Sequence, residues 1–235
     1  MTYFRIIFYL TLLMSRLVYS KNILEFEGRA YDKSDNLFYI EKHVVEYEKN
    51  QYSVKNINTK YKKPSDNSEF AQINSSFVFG DYVPESTFYD KRHNIKKILK
   101  RNGKEIIIEH RNYKTDKVIK EKKLMYSSNM ISGQGFHNFI VEKMFKEEIS
   151  KEVEIKFLLI DKLDYFTFTV SKVGQSKDKI TQFKLNVKSS LLKLFVDEIN
   201  VFYNDKKQLV RFSGLTNIPT DRGSTLELDI KYIYP

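Results

Sequence analysis

The strongest constraint on this chain is the spacing of its apolar residues, which recur at every second position along most of its length. Leu24, Phe26, Gly28 and Ala30 fall on one side, with Glu25, Glu27 and Arg29 between them. A period of two is that of a pleated strand, whose successive side chains point to opposite faces. The same alternation returns over residues 37–47, 52–61, 117–126, 152–160, 165–173, 179–188, 208–215 and 225–234, and the segment 191–203 is read as a further strand. Short runs at Phe77–Phe79 and Thr87–Tyr89 flank a turn or edge segment, Gly80 to Pro84. Turn chemistry separates the strands, as in Asp32-Lys33-Ser34-Asp35-Asn36 and Pro64-Ser65-Asp66-Asn67. The chain holds 18 Phe and 16 Tyr and is 30% charged, so aromatic packing on one face and water on the other suit it.

The clearest hairpin joins residues 94–101 to 104–111 through Asn102-Gly103, a dipeptide that tolerates the positive φ angles of a two-residue turn. One segment departs from the period of two. Over 136–148, Phe136, Phe139, Ile140, Val141, Met144 and Phe145 recur at helical spacing and form one apolar stripe, with Ser132 as a candidate cap. The predicted fold is therefore mainly β: a single strongly curved antiparallel sheet, half-barrel-like, of about ten to twelve strands wrapped on one amphipathic helix. No linker composition or fixed repeat divides residues 21–235, which are read as one domain.

The first twenty residues carry a different signal. Arg5 precedes an apolar run, Ile6 to Met14, followed by Ser15-Arg16 and then Val18-Tyr19-Ser20. A basic start, a short apolar core and small residues before a break form a secretory leader, which predicts Lys21 as the mature N-terminus and a periplasmic location. The run is too short for a spanning helix, which needs about 20 apolar residues. Cysteine is absent, which excludes disulfide staples and acylation at the leader junction.

The formal charge is +10 and is concentrated. Residues 91–123 hold thirteen Lys or Arg against four acids, so the remainder of the mature chain is close to neutral. Lys96, Lys100, Lys104, Lys120 and Lys122 would build a positive surface that concentrates anions. Outside the cytoplasm those anions are phospholipid head groups, lipid A phosphates or acidic wall polymers. Lysine on edge strands also deters aggregation, which offers a second reason for the same residues. No nucleic-acid-binding module accompanies the charge.

A search for chemistry finds little. The four histidines are His43, His93, His110 and His137, without an HExxH pattern. With Asn102-Gly103 as the turn, Ile95 would face His110 and His93 would lie diagonally across it, a weak candidate metal pair in a positive segment. The nucleophile motifs GxSxG and SxxK do not occur. Asp161 and Asp164 fall in a turn, where aspartate bonds its own backbone. Gly133-Gln134-Gly135 precedes the helix without the rest of a phosphate loop. No metal, cofactor or catalytic residue is assigned, and the chain is read as non-enzymatic.

Three short stretches resemble an uncharacterised family of exported proteobacterial β-rich proteins: Phe26-Glu27-Gly28-Arg29-Ala30, Gly135-Phe136-His137-Asn138-Phe139-Ile140, and the C-terminal run from Leu209 to Ile218 with Leu228-Asp229-Ile230-Lys231-Tyr232. The resemblance implies export and a β-rich body, and it transfers no activity. At the level of fold, the curved sheet with a helix is similar to periplasmic lipoprotein-carrier-like half-barrels.

These readings predict a periplasmic, monomeric binding or carrier protein for an amphipathic or anionic envelope component, in peripheral contact with the membrane. The ligand would meet Phe136, Phe139, Ile140 and Met144 on the helix and the lysines Lys96, Lys100 and Lys104 on the sheet. The alternative is a structural or interaction protein that docks an outer-membrane partner through a sheet edge.

Overall fold

The computed structural model describes residues 22–48, 53–78, 81–145, 152–188 and 198–235. The leader over 1–20 lies outside the described residues. Fifteen strands form one continuous sheet: β1 Ile23–Tyr31, β2 Leu37–Tyr47, β3 Val54–Lys62, β4 Glu69–Ser76, β5 Glu85–Asp90, β6 Ile95–Asn102, β7 Glu105–Asn112, β8 Val118–Met125, β9 Met130–Ser132, β10 Val153–Leu159, β11 Asp164–Gln175, β12 Thr181–Val187, β13 Ile199–Tyr203, β14 Leu209–Leu215 and β15 Glu227–Ile233. Their spatial order is β8-β7-β6-β5-β4-β3-β2-β1-β15-β14-β13-β12-β11-β10-β9. Two meanders therefore run outward from the β1–β15 pair.

The predicted class is correct and two details differ. Fifteen strands exceed the predicted ten to twelve, and the sheet is not wholly antiparallel, because β9 runs parallel to β10. The strands beyond twelve are β4, β5 and β9. Of these, β5 showed only as the short run Thr87–Tyr89, and β4 and β9 were missed. Phe77 and Val78 of the other short run are not in a strand, and residue 79 lies outside the described residues. In β4 the inward positions are Ala71, Ile73 and Ser75, too small and polar to read as an apolar stripe. With three residues, β9 is too short to show any period.

The predicted helix is also shorter. An α-helical turn, α1 (Gly135–Phe139), continues as a π-helical turn over Ile140–Met144, and residues 146–148 of the predicted span lie outside the described residues. Gln134, not Ser132, occupies the N-cap position, and no side chain caps the helix. Ser132 is the last residue of β9.

The sheet curls until one wing overlaps the other, and β10 records this in adjacent residues. Ile155 and Phe157 face a cluster with Phe139, Ile140, Met144, Phe168, Phe183 and Tyr203. Leu158 faces the opposite way, into a cluster with Leu99, Ile106 and Ile108 of β6–β7 and Met130 of β9. The inward face of β6–β8 thus lies on the back of β9–β10, and side chains close the seam without a ladder. His110 Nε2 bonds the carbonyl of Ile160 at 2.7 Å. Lys97 pairs with Asp161, and Lys122 with Asp164. A third cluster fills the middle, where Tyr39, Tyr61, Phe70 and Phe88 pack on Ala30, Ile218 and Ile230.

The 81–84 loop finishes the covered end. Ser132 N donates to Tyr82 O at 3.0 Å, occupying the outer side of β9. A Cβ on Gly135 would stand 2.0 Å from Tyr82 O, so only glycine lets the helix start pack against this loop.

Candidate functional site

The turn of the hairpin in the basic segment lies one residue beyond its predicted place, which shifts the cross-strand pairing by two, so that Ile95 faces Asn112 and not His110. Asn102 pairs with Glu105, so the two-residue loop is Gly103-Lys104. Only Gly103, with φ 60, takes a positive φ there, which fits a type II′ turn with glycine first and makes the Asn102 side chain unnecessary. The shift moves Lys97 opposite His110 and dissolves the proposed His93–His110 arrangement. Each imidazole instead meets a backbone carbonyl, His93 at Thr220 (2.9 Å) and His110 at Ile160.

The predicted ligand residues separate into two places. Phe139, Ile140 and Met144 are core, all at most 6% exposed, and Phe136 packs beside them on Phe139 and Phe157. The helix acts there as the filling of the sheet. The lysines lie across the β6–β8 wing and differ in their partners. Lys96 bonds Asp116 at 2.8 Å, and Lys100 stands 3.5 Å from Glu109. Hydrogen bonding from Arg111 holds the Glu109 carboxyl below its ordinary range, and Lys96 does the same for Asp116. Arg101 pairs with Asp81, and Arg92 with Asp90 and Asp221. Lys104, at the loop, forms no ion pair among the described residues, and neither do Lys114, Lys117, Lys120 and Lys123. Folding therefore narrows a diffuse basic segment to five lysines without an ion pair, beside two acids, Glu105 and Glu121, that are likewise without one among the described residues.

Four of those five lie on β8 or the turn before it, at the outer edge of the sheet. Every residue of β8 except Leu124 is exposed, including Val118, Ile119 and Met125 at 40%, 59% and 64%. Lysine heads and apolar side chains thus share one edge about 25 Å long, at roughly 3.3 Å per residue. The register shifts between Arg111 and His110, which places Ile119 in a bulge.

A second polar group was not singled out in the sequence. On the inward face, His43 Nε2 meets Glu41 Oε2 at 2.8 Å, and its Nδ1 meets Thr59 Oγ1 at 2.8 Å. Gln134 Nε2 donates to the same Thr59 oxygen at 2.8 Å, and Phe26 stacks on His43 at 4.5 Å. The order carboxylate, imidazole, hydroxyl is that of a proton relay. Thr59 is fully buried, however, and its oxygen is already shared between His43 and Gln134. The network ties the segment before α1 to β2 and β3. Its signal in sequence was Glu41 and His43, two polar residues at alternate positions on a strand whose same face carries Tyr39 and Val45.

His137 is the most perturbed histidine. It stacks on Tyr203 at 5.7 Å, and burial lowers its pKa from 6.5 to about 4. Burial likewise pushes the Tyr203 hydroxyl up. These groups stand in the helix-side core.

No family model matches the chain, and no curated protein does. Among solved structures, the chain is similar to a β-barrel-like protein of a domain of unknown function, DUF1849, from Brucella abortus. The match covers 90% of this chain and 95% of that one, with 9% identity and a TM-score of 0.34. No helix among the described residues is long and apolar enough to cross a membrane.

Proposed function

We propose that this is a non-catalytic envelope protein that docks through the β8 edge onto an anionic amphipathic surface, a layer of acidic phospholipid or lipid A head groups. The reading places it in the periplasm after removal of the leader over residues 1–20. One observation carries it: Lys114, Lys117, Lys120 and Lys123 lack ion-pair partners among the described residues and lie beside exposed Val118, Ile119 and Met125. Lysine near an anionic bilayer contributes about 1 kcal/mol per charge, and apolar side chains add burial in the interfacial zone. Cargo held inside the fold is less well supported, because Phe139, Ile140 and Met144 are themselves core. Strand addition by a partner protein would use the same edge, but a bulge and a row of lysines both oppose pairing.

Vesicle co-sedimentation tests the proposal. The protein is expected to sediment with phosphatidylglycerol vesicles and not with phosphatidylcholine, and to release as salt rises past the Debye regime of about 0.1 M. Replacing Lys114, Lys117, Lys120 and Lys123 by Glu should lower the partition at least about a hundredfold, whereas Lys96→Glu with Lys100→Glu should change it far less. Equal sedimentation of the fourfold variant would overturn the assignment.

A further inference from the structure

The outward face of β1–β7 carries a trough of about 640 Å³ that the docking edge does not use. Its walls are two rows of side chains crossing the strands. One row runs Val44, Asn58, Asn74, Thr87 and Ile98, each opposite the next in register. The other runs Glu46, Asn56, Ser76 and Glu85. With neighbouring strands about 4.8 Å apart, a groove across seven strands is about 29 Å long.

Hydrogen bonds fix one end of the amides and leave the other end open. Asn58 Nδ2 donates to Asn74 Oδ1, as does Gln72 Nε2 at 3.0 Å. Asn56 Nδ2 donates to Glu46 Oε2 at 2.9 Å. The remaining Asn58 and Asn56 oxygens, the Asn74 amide nitrogen and the Ser76 and Thr87 hydroxyls have no side-chain partner among the described residues. Beside this ladder Tyr89 donates to Gln72 and stacks on Tyr113 with ring centroids 5.4 Å apart, forming an aromatic step that is partly open to solvent.

From these features we infer that the trough binds a neutral glycan chain. Oriented amides and hydroxyls supply alternating donors and acceptors, which matches sugar hydroxyls that both give and take hydrogen bonds. The apolar ends of that first row, Val44 and Ile98, and the tyrosine step suit the C–H faces of sugar rings. The two cations of the lining are held, Lys100 by Glu109 and Arg101 by Asp81, so the trough lacks the free lysines of the β8 edge. Its one carboxylate without an ion pair among the described residues, Glu85, accepts from Arg101 N at 3.4 Å and offers a further acceptor to sugar hydroxyls. An extended peptide fits less well. It gains its main-chain bonds at a strand edge, and here the groove crosses mid-sheet strands whose backbone groups are already paired.

Affinity electrophoresis through gels containing a soluble β-glucan, a mannan, a galactan or peptide-free peptidoglycan strands tests this. At least one polymer should retard the protein. Asn58→Ala with Asn74→Ala should weaken that retardation at least about tenfold, the loss expected for two hydrogen bonds, and Asn58→Asp with Asn74→Asp should do the same while keeping side-chain volume. Thermal melting checks that each variant remains folded. The fourfold lysine variant of the β8 edge should bind the glycan as the parent does, which separates failure of this site from failure of the edge. No retardation by any of the four polymers, retardation unchanged in both asparagine variants, or displacement by a peptide and not by an oligosaccharide would overturn the inference.

Discussion

At one end of the sheet β9 buries all three of its residues, Met130, Ile131 and Ser132, and gives its outer side to the carbonyl of Tyr82. At the other end β8 leaves nearly all of its eight residues in solvent, apolar ones included. Both are terminal strands of the same ladder and both face the hazard of an unpaired edge. The fold meets it by burial at β9, using the overlap of β6–β8 and the 81–84 loop. At β8 it relies on lysines and a bulge at Ile119. The difference teaches that only one edge is available for recognition, and that its chemistry favours anionic surfaces over another strand.

Mutations at the two edges should separate most widely in stability. Ile131→Ala in β9 empties a fully packed site and should destabilise by roughly 2–5 kcal/mol, read from urea unfolding, while Ile119→Ala in β8 should stay within about 0.5 kcal/mol. Comparable losses at the two positions would break the comparison. Gly135→Ala should behave like Ile131→Ala, because its Cβ meets the Tyr82 carbonyl that covers β9. A smaller effect is expected from acid. The unfolded chain protonates His137 near pH 6.5 and the folded chain only near pH 4, so the unfolded state binds more protons between these values. Stability should therefore be full above pH 6.5 and fall by on the order of 3 kcal/mol as pH drops to 4, and His137→Phe should remove the part of that slope lying above the carboxylate range. Smallest of all, deleting Ile119 to straighten β8 should leave the melting temperature nearly unchanged and yield weak edge-to-edge dimers in sedimentation velocity. A strictly monomeric deletion variant would show that the lysines alone guard the edge.

Much of this fold was legible because its strands alternate cleanly. The bounds of β2 and the faces of β1 follow from residues such as Phe26, Gly28 and Ala30 without further information. The hairpin offset was not legible, since Asn102, Gly103 and Lys104 are flanked on both sides by polar residues that fit either register. Nor was the overlap of the wings. It depends on Leu158 and Met130 meeting Leu99 and Ile108 across a long stretch of chain, and adjacent residues of β10 serve two different cores. The same separation hid the site. Asp161 and Asp81 neutralise Lys97 and Arg101 only after folding, so the sequence showed a basic segment but not which lysines remain free. Lys96 and Lys100 looked equivalent to Lys120 and Lys123 until their carboxylate partners were in place.

Hydrogen exchange with and without phosphatidylglycerol vesicles tests the two-edge account most directly. The amides of β8 should exchange fast in solution and slow markedly on the vesicles, while those of Ile131 and Ser132 in β9 remain slow in both. Protection that appears elsewhere, or β8 amides that exchange equally fast in both conditions, would contradict it.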